Sequence, residues 1–523
     1  MREVVRYNRT NLPKSHLDVV EAVGMEKPQG IPQPVKPQLG LWDAVSIIIG
    51  IVIGAGIYET APLILSNVST PWMGLVVWGL GGVLSLIGAL CYAELATTYP
   101  RLGGDYVYLT RAFGSWVGFL FGWAQLAVIL TASIGMMAFV FARYAVNFSG
   151  VSTLSLGEAG PSISMYFLFA SLAVAVLSLL NILGVVLGKV TQNILSLVKV
   201  LGLGAILVAG FVWGQHAGTL SLTEELPIEG LGFGLAMILV LYTYGGWNDA
   251  AFVAAEVRDR RRNIPRALIL GTALITLIYL GVNAAYMLGL GFKGAREADA
   301  VASDVLKLGL DQYQFGAYAS AVMSVLVMIS ALGAVNGLIF TGSRVYSTLG
   351  SEHSVFAFLG RWSPRFNTPV WSLLAQGIIS ILMIGIVGTE TGRGWIDRAG
   401  YWLGDWIPEK QRFNPIDWRF YGGGFSTLLA ATAPVFWAFF LLTGLSLFKL
   451  REMDKGIERP FSVPFYPFNP FIFCLMCTYM LYSAITYAGW LTLLGAIPLA
   501  LGLPLYFVSR RRAPVEDALD RGA

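Results

Sequence analysis

The sequence predicts an all-α polytopic membrane protein of about twelve transmembrane helices. The first ten spans are expected to form a 5+5 inverted repeat with broken helices one and six, and two C-terminal helices follow. Three observations carry this reading. Of the 523 residues, 56% are hydrophobic and 13% charged, and the mean hydropathy is +0.66, whereas a soluble domain carries about a quarter charged residues. Apolar runs of about 20 residues recur along the chain, each long enough to cross about 30 Å of hydrocarbon. Glycines interrupt the first and sixth runs in matching places. The alternating pattern of a transmembrane barrel is absent.

In order, the spans are expected near 41–66, 73–97, 107–143, 163–184, 191–213, 231–254, 265–290, 317–348, 368–388, 425–449, 470–488 and 491–509. Residues 1–40 carry Arg2, Arg6, Arg9, Lys14 and Lys27 and end in "KPQGIPQPVKPQLG", which cannot form a packed helix. They read as a cytoplasmic tail and not as a secretory signal. A first repeat is expected over 41–215 and a second over 231–450, with an external insertion at 389–424. The last two spans fall within 470–509, and 510–523 forms a second tail. "RDRRRNIPR" (258–266) and the basic residues near 101–111, 189, 361–365 and 449–459 all lie in alternate loops. Positive-inside placement then puts both termini in the cytoplasm of a cell (plasma or inner) membrane. "GWIDRAGYWLGDWIPEKQRF" in the insertion reads as a helix lying at the interface.

Composition also excludes functions. Cys91, Cys474 and Cys477 all lie in apolar runs, so no disulfide framework is expected and buried roles suit them. His16, His216 and His353 are scattered, and no metal or cofactor is expected. The net charge of +4 belongs to loops, not to a nucleic-acid face. A membrane enzyme would need clustered acids or histidines within the bilayer, and a direct ATP drive would need a phosphate-binding loop; neither occurs.

In "SIIIGIVIGAGIYETAP" (46–62), Gly50, Gly54, Ala55 and Gly56 weaken a helix at its centre, where each glycine costs about 1 kcal/mol relative to alanine. In "LVLYTYGGWNDAAF" (239–252), Gly245 and Gly246 do the same. One such stretch reads as close helix packing through small residues. Two, in equivalent positions of two repeats, point to a transporter with its site at the midplane. A break near Val52 to Ala55 frees carbonyls on one half-helix and amides on the other. The second break offers carbonyls around Tyr242 to Gly245. Amides attract a carboxylate and carbonyls an ammonium, the two groups of a zwitterionic amino acid.

"GIVIGAGIY", "CYAELATTYPRLGGDYVYLTRAFG" (91–114), "GKVTQNILSLVKVLGL" (188–203), "YTYGGWNDAAFVAAEVRDRRRNIPRAL" (242–268), "GAVNGLIFTGSRVYS" (333–347) and "RFNTPVWSLLAQG" (365–377) resemble the amino acid–polyamine–organocation superfamily of transporters, in particular its L-type amino acid transporters. The resemblance covers roughly residues 40–450 and fixes no substrate. It implies that Ala55, Gly56 and Ile57 receive the substrate carboxylate, with Val52, Ile53 and Gly54 completing the first break. It makes Tyr242 a lid, and Thr243, Tyr244, Gly245, Gly246 and Asn248 the rest of the second. Trp247 reads equally as gating or as packing.

Lys199 stands in the middle of an apolar span, where a lysine costs on the order of 2.5–3.5 kcal/mol. The resemblance places it where relatives bind sodium, so that it braces the first break, disfavours sodium coupling or carries a proton. Glu59 and Asp249 depart from the family pattern. Glu59 is either solvated near the outer end of its half-helix, or lines the outer vestibule and biases selection towards cationic or polar substrates or takes part in proton coupling. Asp249 faces either the cavity or the interior. Glu256 is expected to pair with the arginines of the basic loop. The loop after span three has no cysteine, so a disulfide-linked heavy chain is not expected.

The function expected is secondary active transport, as permease or exchanger, of amino acids, neutral and sodium-independent, by alternating access, with proton coupling left open. The alternatives are a carrier of cationic amino acids or polyamines and, behind it, a non-transporting amino-acid sensor. Amino acid and lipid are the expected partners; the sequence fixes no oligomeric state.

Overall fold

A computed structural model of the protein describes residues 37–151, 153–155, 162–214, 222–229, 232–404 and 424–509. Residues 1–36 and 510–523 of the two expected tails, and 405–423 of the insertion, lie outside the described residues. Nine helices among the described residues are long and apolar enough to cross a membrane, and Leu41–Val52 and Thr492–Val508 are shorter apolar helices.

The first span is α1 (Leu41–Val52), followed after a break by α2 (Gly56–Glu59) and α3 (Ala61–Leu65). Asp43 in the first turn of α1 accepts from the Gly40 amide at 2.8 Å, satisfying one of the N–H groups that a helix start leaves open. α4 (Pro71–Thr98) begins with Thr70, whose hydroxyl oxygen accepts from the Met73 amide. Pro71 fits there because the first helical N–H has no partner to lose. α5 (Asp105–Phe113), α6 (Ser115–Ala124), a π-helical turn (Gln125–Ile129) and α7 (Leu130–Ser149) make the third span. A short antiparallel ribbon of β1 (Thr153–Ser155) and β2 (Ser162–Ser164) leads into α8 (Met165–Ile182) and α9 (Val185–Trp213). α9 starts before the expected residue 191 because Lys189, read as loop punctuation, is a helical residue bonded to Asp43 at 3.1 Å.

The sixth span is α10 (Phe233–Thr243), a turn, and a 3₁₀ segment (Trp247–Glu256). α11 (Arg260–Glu297) follows, bent where Gly291 takes φ +74°. Then come α12 (Val301–Asp311), α13 (Ala319–Glu352), α14 (Val370–Gly388), α15 (Glu390–Gly404), α16 (Gly424–Met453), α17 (Phe468–Ala488) and α18 (Thr492–Val508). Each expected span therefore coincides with helical structure.

α7, α13 and α16 are the most deeply buried long helices, while α8, α9 and α14 turn Leu172, Leu197, Leu201, Ile378 and Leu382 outward. Such faces suit hydrocarbon. α11 packs along α4, α13 along α7 and α16 along α17. The chain entering α1 is tied to the end of the sixth span: Leu39 bridges Val257, and the Arg258 amide donates to the Leu39 carbonyl at 2.8 Å.

Candidate functional site

The break in the first span begins where Ile53 leaves the helical conformation, with ψ 82°. Its loosened carbonyls are held by side chains from three other helices. Lys199, fully buried at the middle of α9, donates to the carbonyls of Gly50 at 2.5 Å and Ile53 at 2.8 Å. Ser330 of α13 donates to Ile53 at 2.9 Å and lies 3.2 Å from the Gly54 carbonyl. The Tyr286 hydroxyl donates to the Ile57 carbonyl. Buried backbone groups must be paired, and here side chains do what the helix ladder no longer can. The amides of Ala55, Gly56 and Ile57 find no acceptor among the described residues.

The second break forms at Tyr244 and Gly245, where the Gly245 amide turns back to the Tyr242 carbonyl at 3.0 Å. Gly246 has φ +109°, a conformation L side chains rarely adopt, and a Cβ there would sit 2.5 Å from Ile51 Cγ2. Gly56 meets Thr243 in the same way, at 3.0 Å. Glycine on each side lets the two breaks touch. The Tyr279 hydroxyl joins them directly, 3.0 Å from the Val52 carbonyl and 3.3 Å from that of Thr243.

A cavity of about 150 Å³ lies against both breaks. Of the expected site residues, Val52, Gly54, Gly56, Tyr242, Thr243, Gly245 and Gly246 line it. Ile53, Ala55, Ile57, Tyr244 and Asn248 stand behind these residues. Tyr244 packs against Trp78 and Tyr279 and donates to the Trp78 carbonyl. Asp249, whose direction the sequence left open, lines the cavity. The opposite wall comes from α7 and α16 through Ser133, Met136, Met137, Thr432, Phe436 and Trp437, and Gln125 of the π-turn joins it. None of these wall residues was anticipated. Gln125, a polar residue in an apolar span, was the one legible signal among them. Tyr242 sits edge-on to Phe425 at 6.3 Å, between the breaks and this wall.

The remaining candidates lie apart from the cavity. Trp247 packs edge-on to Tyr92 at 5.2 Å and against Phe440 and Phe473. Glu59 is paired with Arg143 and accepts from the Tyr144 hydroxyl at 2.8 Å, so it is not merely solvated. Glu256 corrects the expectation made for it. It pairs with Arg344 of α13 at 2.7 and 3.2 Å, both side chains nearly fully buried, and not with the loop arginines. Arg344 is an interior cation and needs an interior anion, while Arg261 of the loop finds Glu458 in solvent.

The amino acid permease family model matches residues 39–499 of the chain. The chain is 29% identical over 478 residues to the b(0,+)-type amino acid transporter 1 of Homo sapiens, covering 91% of this chain and 88% of that protein. It is 27% identical over 485 residues to the serine/threonine exchanger SteT of Bacillus subtilis (strain 168), covering 91% and 98%. It is 30% identical over 358 residues to the large neutral amino acids transporter small subunit 2 of Homo sapiens, covering 67% and 64%.

Proposed function

The chain belongs to the amino acid permease family, and from that premise we propose that this multi-pass membrane protein is a sodium-independent carrier of small neutral amino acids. The single observation that carries the proposal is the position of Lys199. Its ammonium occupies the cluster of Gly50 and Ile53 carbonyls at the first break, together with the Ser330 hydroxyl. A fixed cation there stabilises the unwound backbone and takes the place of a coupling ion.

The substrate then binds between the breaks. Gly56 lines the cavity, and its unpartnered amide, with those of Ala55 and Ile57 beside it, is the donor set for the substrate carboxylate. The cavity supplies an apolar wall with Ser133, Thr243 and Thr432 as hydrogen-bonding groups. The small cavity favours short side chains; cavities of about this size hold a benzene-sized guest. The serine/threonine specificity named for the Bacillus subtilis relative is in keeping with that size. The two breaks fall in the first and sixth spans, as in a carrier built of two five-span repeats, over 41–215 and 231–450, that rock against each other. The basic residues in alternate loops support a reading in which both termini are cytoplasmic and the membrane is a plasma or inner membrane.

Purified protein in sodium-free liposomes, given radiolabelled alanine, serine, threonine, leucine, lysine and glutamate, tests the reading. Uptake of the small neutral amino acids supports it. Uptake that appears only with a sodium gradient contradicts it.

A further inference from the structure

The cavity holds one acid and, among the described residues lining it, no lysine, arginine or histidine. Asp249 is only 5% exposed, and the hydrogen bond its carboxylate accepts comes from a neutral group, Asn248 Nδ2 at 3.1 Å. The neighbourhood is short of donors, since Gln125 Oε1 and Asn248 Oδ1 are buried without partners among the described residues.

Several other ionisable groups on the elements packed around the 3₁₀ segment and near it are engaged elsewhere. On α4, Tyr92 donates to Asp105 at 2.5 Å and Glu94 pairs with Arg451. On α11, Tyr279 and Tyr286 hold carbonyls of the first span. On α13, Arg344 pairs with Glu256 and Tyr346 donates to the Gln125 carbonyl. Asp43 of α1 pairs with Lys189, and Lys199 of α9 is bound to Gly50 and Ile53. A second carboxylate, Asp105, follows the turn whose Gly103 amide donates to the Phe252 carbonyl of the 3₁₀ segment at 3.0 Å. Asp105 is the better supported anion of the two, with hydrogen bonds from Tyr92 and from Thr443 at 2.6 Å.

This arrangement makes proton uptake depend on occupancy. When the cavity is open and wet, water solvates the Asp249 carboxylate. When an amino acid zwitterion fills the cavity it expels that water and brings no net charge. The substrate's ammonium is taken by the carbonyls around Tyr242 to Gly245 and its carboxylate by the first break. An ion left at Asp249 has then lost its solvent and gained no counter-charge of its own, so its neutral form is favoured. A long cationic side chain would supply the missing charge itself, whereas a cavity of about 150 Å³ favours shorter side chains. We propose that Asp249 takes up a proton together with the substrate, so that the carrier moves protons with its amino acid.

The proposal rests on the transport reading above. Because binding linkage is reciprocal, substrate affinity then rises as pH falls, by at most about tenfold per pH unit for one linked proton. The test uses wild type, Asp249→Asn and Asp249→Glu in sodium-free liposomes loaded with a pH-sensitive dye, with alanine, serine or threonine added outside. Substrate-induced thermal stabilisation against pH gives a second readout that needs no transport. Wild type is expected to acidify the lumen on adding substrate and to bind more tightly at acid pH. Asp249→Asn is expected to lose both responses, and Asp249→Glu to keep them. Wild-type uptake without proton entry overturns the proposal, as does proton entry that survives Asp249→Asn. So does binding with the same pH dependence in wild type and Asp249→Asn. A wild type that takes up lysine and not the small neutral amino acids overturns it too, in favour of a cationic substrate. A wild type that moves no amino acid under any gradient instead overturns the transport reading itself.

Discussion

The Lys199 ammonium lies 2.5 Å from the Gly50 carbonyl oxygen, so a side chain of α9 completes the end of α1. A lysine at the centre of an apolar span is tolerated because it meets carbonyls that the break has released. Neither feature is stable alone. The break needs a donor, and the buried cation needs acceptors.

Tyr279 spans the two breaks through one hydroxyl. Tyr279→Phe removes it and leaves two carbonyls short of a partner. We expect a loss of about 1–3 kcal/mol in stability and reduced uptake, read by thermal unfolding in detergent and by liposome uptake. An unchanged rate of uptake would mean that the two breaks need no shared bond.

The glycines should differ in cost. Gly246→Ala forces a side chain onto φ +109° and into Ile51 at 2.5 Å, whereas a Cβ at Gly54 meets Met137 Sδ, the flexible part of a side chain, at 3.3 Å. Gly246→Ala should destabilise by at least about 1–2 kcal/mol from the backbone alone, and Gly54→Ala by less. Thermal unfolding of the two variants gives the order, and the reverse order would contradict the geometry.

Arg344 and Glu256 form a buried ion pair. Removing either partner strands the other, at about 3–5 kcal/mol, while replacing both by neutral groups costs much less. A double-mutant cycle on Arg344→Gln and Glu256→Gln should show that coupling. Additive losses would rule it out.

The sequence carried the architecture further than the walls of the site. The twelve spans were legible because a helix in hydrocarbon must be apolar over about 20 residues. The two breaks were legible because glycine pairs are costly in a helix, and Lys199 because a charge in such a run needs a reason. Phe436, Trp437 and Met136 were not. In a soluble helix an apolar face marks the interior, but here the lipid-facing side is apolar too, so periodicity does not tell wall from membrane. The partner of Glu256 was missed because Arg344 lies 88 residues away and only tertiary packing brings them together. The turn at Gln125 was hidden for a similar reason, since a π-turn has no composition of its own.

Asp454, just beyond the end of α16, should respond to acid through its pair with Arg111 of α5. Arg111, donating to Asp454 at 2.5 and 2.9 Å, holds that carboxyl below its ordinary value of 3.8, with Tyr99 adding a bond at 2.6 Å. The folded protein therefore binds this proton more weakly than the unfolded chain. The stabilisation is present above about pH 4 and is lost as pH falls through the lower folded value. Arg111 is 44% exposed, so the effect is at most about 1 kcal/mol. Thermal unfolding between about pH 5 and about pH 3 should fall more steeply in wild type than in Asp454→Asn. Equal slopes would contradict a role for the pair.

The most direct test of the account is uptake of radiolabelled alanine, serine and threonine into sodium-free liposomes, comparing wild type with Lys199→Ala. Lys199→Ala leaves the cavity lining intact and takes away the cation that holds the first break. Wild-type protein is expected to take up substrate without sodium, and a Lys199→Ala protein that still purifies as a folded species is expected to lose that uptake. Sodium-free uptake that persists in Lys199→Ala would show that the bonds from Lys199 to Gly50 and Ile53 are not what makes the break work.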